Sequence, residues 1–442
     1  MISIAALTVG AYCIGWPTHY PVLLWIVGVN WLPIAADILR ADLAGERLSS
    51  SSLGSYRTVA VLISLLAGVV LAVGLRLGAR GIGSVPSPIK TGPLVSSPVS
   101  LRGAVVLFFS AYPIIFALDL IGYLSPGLRQ PAWAFASVKF VFLYLLAATV
   151  FRLQRGYEWL LLAVTVELVN GFTGFFSDYK EAFFIVAIAL VSERKTNAKL
   201  ALIAGVIGVS VIWLSLIWTA IKPEYRNWVS GYTRAQIVVR PFGDRVDYIV
   251  RAILSEGLDY EAANLKLLNR LGYTEYYSKV LARLETSAID VPSRYVSAVQ
   301  SIVMPRLFFP DKPILDDSAV TTALTGEEID SDTSVSVGYV AEAHVDFGFP
   351  VMMVPILLIG VMIGAQARYF MTRDAPLIVR RAFCAGCLFS TFGYQMNIDK
   401  ALGGNLVGFI AMAVTLKFGY PLISTWLADR SNDSQTLKAM TS

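Results

Sequence analysis

Five residues late in the chain have the types that phosphate and proton chemistry needs. Arg306 and Lys312 stand in MPRLFFPDKP, where Pro305, Pro310 and Pro313 restrict the backbone to an extended, turned path rather than a helix. Glu342, His344 and Asp346 follow in GYVAEAHVDFGF, immediately before an apolar run that opens at Pro350. In an extended strand the last three would project from one face, and in a helix they would spread around it. A carboxylate or imidazole partly withdrawn from water there acquires a pKa suited to taking a proton from a sugar hydroxyl, with Glu342 the first choice of base and His344 the second. Asp346 is the second acid of the set.

Further cations lie upstream. Arg226, Arg234, Arg240, Arg245, Arg251 and Arg294 are interspersed with Tyr225, Trp228, Tyr232, Tyr248, Tyr260 and Tyr295. Guanidinium groups bind phosphate through paired donors, and flat aromatic faces bind the C–H side of sugar rings, so the mixture suits a phosphorylated glycan. A solvated surface carrying ordinary arginines is the competing reading. Lys180 lies in an earlier turn and is placed to join Arg306 around an anion. His19 reads as structural, and Asp119, Lys139 and Glu167 read equally as helix-to-helix pairs or as a site.

Composition says what holds these residues. Of 442 residues 56% are hydrophobic and 15% charged, with a mean hydropathy of +0.63. A water-soluble domain needs nearer a quarter of its residues charged, so this is a polytopic membrane protein. The net charge of +5 is spread over helix ends and one loop rather than gathered in a stripe, which excludes a nucleic-acid surface. Cys384 and Cys387 form a C-x-x-C inside an apolar segment with no histidine near, which supports packing rather than zinc or redox chemistry. Nothing calls for a metal or another cofactor.

Runs long enough to cross the hydrocarbon number about eleven. They are Ile2–Trp16, Tyr20–Leu39, Thr58–Leu77, Gly103–Leu124, Trp133–Leu153, Glu158–Phe176, Ala182–Val191, Lys199–Ile221, Pro350–Phe370, Ile378–Met396 and Gly404–Leu427. The chain thus divides into an N-terminal bundle (1–221), a long polar interval (222–349), a C-terminal group of spans (350–427) and a tail (428–442). Clusters of Lys and Arg at 152–155, 194–199 and 368–381 mark the cytoplasmic side, which puts the long interval outside as a mostly helical cap. Arg40, Arg47 and Arg57, between the second and third spans, run against this scheme. Gly81–Ser100 reads as a flexible cytoplasmic connector.

The span pattern, the turn from Gly174 to Lys180, the PRLFFPDKP segment and the GYVAEAHVDFGFP exit together resemble the Wzy-type polymerases of O-antigen and oligosaccharide repeat units. The resemblance implies an all-α, GT-C-like membrane glycosyltransferase that needs no metal. It implies donors and acceptors linked to undecaprenyl pyrophosphate, a multi-pass location in a bacterial inner membrane, and a long loop in the periplasm. A chain-length regulator and a flippase are the implied partners. By the same resemblance Arg306 and Lys312, with Arg226 and Lys180, hold the pyrophosphate, and Glu342 matches the acidic residue of the exit segment. Lys180 stands where many relatives carry Arg, which weakens paired phosphate binding there. A glycan ligase of the same superfamily, or a polysaccharide flippase or other transporter, is the alternative expectation.

Overall fold

The structure, a computed structural model, describes residues 2–14, 21–43, 45, 47–50, 53–80, 99–125, 127–175, 178–193, 198–233, 238–254, 258–286, 291–304, 309, 317–328 and 335–427. Among them every regular element is helical. The first half holds α1 (Ile2–Ile14), α2 (Pro21–Leu43), α3 (Ser55–Gly78), α4 (Leu101–Leu124), α5 (Arg129–Ala136), α6 (Lys139–Leu153), α7 (Tyr157–Thr173), α8 (Tyr179–Glu193) and α9 (Ala198–Val229). Six shorter helices follow: α10 (Phe242–Leu254), α11 (Tyr260–Leu271), α12 (Thr274–Thr286), α13 (Arg294–Val303), α14 (Asp317–Thr325) and α15 (Tyr339–Phe347). The chain ends in α16 (Met353–Met371), α17 (Leu377–Leu388), α18 (Ile398–Val414) and α19 (Tyr420–Leu427).

Among the described residues seven stretches are long and apolar enough to cross a membrane: Pro21–Leu43, Ser55–Gly78, Leu101–Gly122, Arg129–Leu153, Ala204–Val229, Met353–Met371 and Ile398–Ser424. The chain is therefore an α-helical polytopic membrane protein. The other four expected spans fall on α1, α7, α8 and α17, which have 13, 17, 15 and 12 residues. At about 1.5 Å per residue these are shorter than the hydrocarbon is thick. The expected span Ile378–Met396 stops being helical at Leu388. The carbonyls of the irregular stretch beyond it are claimed by the bundle: Trp25 Nε1 donates to Phe389 O (2.8 Å), Asn30 Nδ2 to Phe392 O (2.8 Å) and Tyr339 N to Met396 O (2.7 Å). Non-helical backbone is tolerated within a bundle when protein donors satisfy it in this way. The opposite difference occurs at α9, which runs on past Ile221 through Lys222 and Pro223 to Val229. The connector expected at 81–100 lies, but for its last two residues, outside the described residues.

The tightest contact in the bundle joins α3 to α16, which run parallel. A Cβ on Gly74 would lie 2.4 Å from Leu357 O, and one on Gly364 would lie 2.3 Å from Leu75 O. Gly74 and Gly78 on one helix thus face Gly360 and Gly364 on the other, a small-residue seam that lets backbones touch.

The cap is fastened to the end of this bundle by α12. Asp37, fully buried near the end of α2, accepts from Thr274 N (2.9 Å) and from the Thr274 hydroxyl, so it caps α12 from another helix. Arg57 and Arg40 approach the same carboxylate at 3.4 Å, Arg40 also meets Glu275 at 3.0 Å, and Tyr56 donates to Glu285 at 2.6 Å. Arg40 and Arg57, which contradict the charge rule by sequence, are tied up holding the cap down. These contacts put the α2–α3 connection and the cap at one end of the bundle.

Candidate functional site

The site is built on α15. The helix starts after Gly338, whose φ of +89° suits glycine and where a Cβ would lie 2.5 Å from Tyr394 O. Tyr339 then anchors it, donating its hydroxyl to Asn30 Oδ1 at 2.9 Å. Helical spacing puts Glu342 and Asp346 on one face and turns His344, two residues from Glu342, to the opposite one. The three therefore serve different neighbours.

Glu342 is fully buried, and both its oxygens are engaged. Oε1 accepts from Arg294 Nε (3.1 Å) and Oε2 from Ile398 N (2.7 Å), the first amide of α18. The other arm of Arg294 donates to Asp399 Oδ2, so one buried guanidinium is shared between two buried carboxylates on two helices. Asp346 accepts from Ser293 Oγ (2.7 Å), Arg294 N (3.1 Å) and Tyr295 N (2.8 Å), capping α13. Beside this group Asn397 caps α18 through Lys400 N (3.1 Å) and donates to Asp317 Oδ1 (2.5 Å), whose other oxygen accepts from Lys400 Nζ. Carboxylates at the first turns of α13 and α18 are further favoured by the helix dipoles.

Burial, which outweighs the Ile398 and Arg294 donors, pushes the Glu342 carboxyl up to about 7. That is a useful value for proton transfer at neutral pH. In this arrangement, however, the side chain fastens α13 to α18, and abstracting a proton from a substrate requires one of its two contacts to open. His344 has Nδ1 2.6 Å from the buried Tyr277 hydroxyl, and partial burial holds its pKa below the ordinary value, so at neutral pH the ring is uncharged.

Lys180 and Arg226 lie elsewhere. Arg226 donates Nε to Phe175 O (3.1 Å) with its guanidinium 4.8 Å over the Phe175 ring. Arg245 and Tyr225 both donate to Thr173 O, at 2.5 and 2.8 Å. Together they satisfy carbonyls at the C-terminal end of α7, where donors and positive charge are favoured. This corner has its own aromatic core of Phe172, Phe175, Tyr179, Trp218 and Tyr225, separate from the core that holds Tyr339 and Tyr295. Lys180 is exposed in the first turn of α8. Near it in the fold, Lys139 meets Glu167 at 3.0 Å and Tyr112 donates to Glu167 at 2.8 Å, which makes these charges a helix-to-helix pair.

Arg306 and Lys312 lie outside the described residues, but the helices flanking their segment do not. α13, before it, is tied to α18 through Arg294 and Asp399; α14, after it, is tied to the same first turn through Asp317, Asn397 and Lys400. Sequence reasoning singles out Asp399 and Lys400, as ionisable residues at a membrane segment on the side of the long loop, but neither Asp317 nor Asn397, and it does not join any of them to Arg294. A further signal was Arg294 itself, the sole charge in the otherwise uncharged helix RYVSAVQSIV. Among the described residues no three His, Cys, Asp or Glu side chains converge as a metal site. No protein-family model, curated protein or solved structure matches this chain.

Proposed function

We propose that this chain is a GT-C-like membrane glycosyltransferase that polymerises oligosaccharide repeat units carried on undecaprenyl pyrophosphate. In this reading the four shorter apolar helices also count as crossings, which gives eleven, and the cap lies on the periplasmic face of a bacterial inner membrane. One observation carries the proposal: the two helices that flank the Arg306–Lys312 segment are both fastened to the first turn of α18, next to Glu342. The helices on either side of a cationic, proline-rich stretch of sequence thus converge on a buried acid, and such a transfer requires both kinds of group.

The acceptor hydroxyl oxygen attacks the anomeric carbon of the donor glycan as the bond from that carbon to the pyrophosphate oxygen breaks. Undecaprenyl pyrophosphate leaves with the electron pair, and its developing charge needs cations, here Arg306 and Lys312. The hydroxyl proton passes to Glu342. Lys180 and Arg226 are left to structural or peripheral binding roles, because Arg226 donates to Phe175 O just beyond α7. A flippase and a chain-length regulator are the proposed partners.

The test is the lipid-linked oligosaccharide profile of a strain lacking the protein, with Arg306→Ala beside it. Single repeat units should accumulate and long chains disappear in both. Long chains retained on the carrier would indicate a ligase instead, and an unchanged profile would overturn the assignment.

A further inference from the structure

The helix that carries Arg294 is inside out by the standard of a helix in water. Its one charged residue points inward to Glu342 and Asp399, and Tyr295 and Ala298 are buried beside it. Its outward face presents Val296, Val299 and Val303, which are 55%, 56% and 71% exposed, with the uncharged Gln300 among them. On α10, by contrast, Arg251 and Asp247 form an exposed ion pair. Valines on a cap helix facing water would leave apolar area hydrated at a cost of roughly 25 cal/mol per Å², and apolar outward faces mark contact with another apolar phase.

The helix also touches the segment that leads into the membrane-spanning α16. The Tyr295 ring packs edge-on against Phe347 at 5.3 Å. From there the exposed apolar residues follow the chain through Phe349 to Val354 and Leu358, 54%, 56% and 60% exposed, the last two on the membrane-spanning α16.

We propose that α13 is not part of a water-exposed cap but is seated in the lipid leaflet, with its valine face in the acyl chains alongside α16. This places the Arg294–Glu342–Asp399 network within one helix diameter, about 10 Å, of the acyl phase.

The experiment is spin-label accessibility in liposomes, on a background with Cys13→Ser, which leaves only the buried Cys384 and Cys387. Labels are placed singly by Val299→Cys, by Leu358→Cys as the lipid reference and by Arg251→Cys as the aqueous reference. The expected result is that the label at 299 is relaxed by oxygen more than by a water-soluble nickel chelate, as at 358. Relaxation chiefly by the chelate, as at 251, would place α13 in water and overturn the proposal. Low access to both reagents would mean that protein covers the face, and would overturn it equally. Neither result would depend on glycan transfer.

Discussion

Replacing Arg294 with methionine keeps most of the side-chain volume and removes the charge that Glu342 and Asp399 share. Both carboxylates are under 5% exposed. Removing one partner of a buried ion pair costs about 3–5 kcal/mol, because an uncompensated charge stays behind. The pH dependence follows from Glu342. Its folded pKa of about 7 exceeds the ordinary 4.5, so the native state holds the extra proton between those values. This group's contribution to stability therefore falls as pH rises through that window, by at most about 3 kcal/mol. Without Arg294, which lowers it, the Glu342 carboxyl rises further, and holding that carboxyl neutral costs little near pH 5 and progressively more as pH climbs above its unfolded value. The deficit of R294M relative to wild type should thus be several kcal/mol at pH 8 and markedly smaller at pH 5. The assay is the thermal unfolding midpoint, followed by tryptophan fluorescence in nanodiscs at both pH values, with the R294M/E342Q/D399N triple variant alongside. The triple variant should recover most of the loss, since no buried charge remains. Equal deficits at the two pH values, or a triple variant no more stable than R294M, would refute the assignment of a charge-sharing network.

Three further outcomes are expected. Gly78→Ala puts a Cβ 2.0 Å from Val361 O and should cost more than the 1–3 kcal/mol typical of overpacking; Gly28→Ala, where a Cβ meets nothing within 4 Å, should leave the midpoint unchanged or raised. Asp346→Ala removes the acceptor for three donors at the start of α13 and should cost about 1–2 kcal/mol, seen as hydrogen exchange of the Arg294–Ser297 amides about tenfold faster. Lys139→Met strands the buried Glu167 and should lower the midpoint in the manner of R294M, with K139M/E167Q restoring it; a single variant as stable as wild type would show that the Lys139–Glu167 contact carries no weight.

Much of the architecture could be read from the chain. Long apolar runs become helices because a backbone in hydrocarbon has no water to bond with, and that constraint is local. The helices α10 and α11 were legible from spacing, since Val246, Ile249, Ile253, Leu265, Leu268 and Leu271 recur at helical intervals. Glu342 and Asp346 stood out as acids at the re-entry point. That they share a face while His344 turns away depended on the segment being a helix, which alternation of residue types could not decide.

Sequence by itself determined that this is a helical membrane protein, where most of its apolar runs lie, and which polar segments are rare enough to merit attention. Tertiary structure alone decided which charges meet. Arg294 and Glu342 are 48 residues apart, and Arg294 and Asp399 are 105 apart. No local pattern encodes such pairings, because they exist only once α13, α15 and α18 are packed and the cost of burying each charge selects its partner. The same applies to Arg40 and Arg57, whose number suggested a cytoplasmic turn and whose contacts with Asp37 and Glu275 instead hold the cap in place.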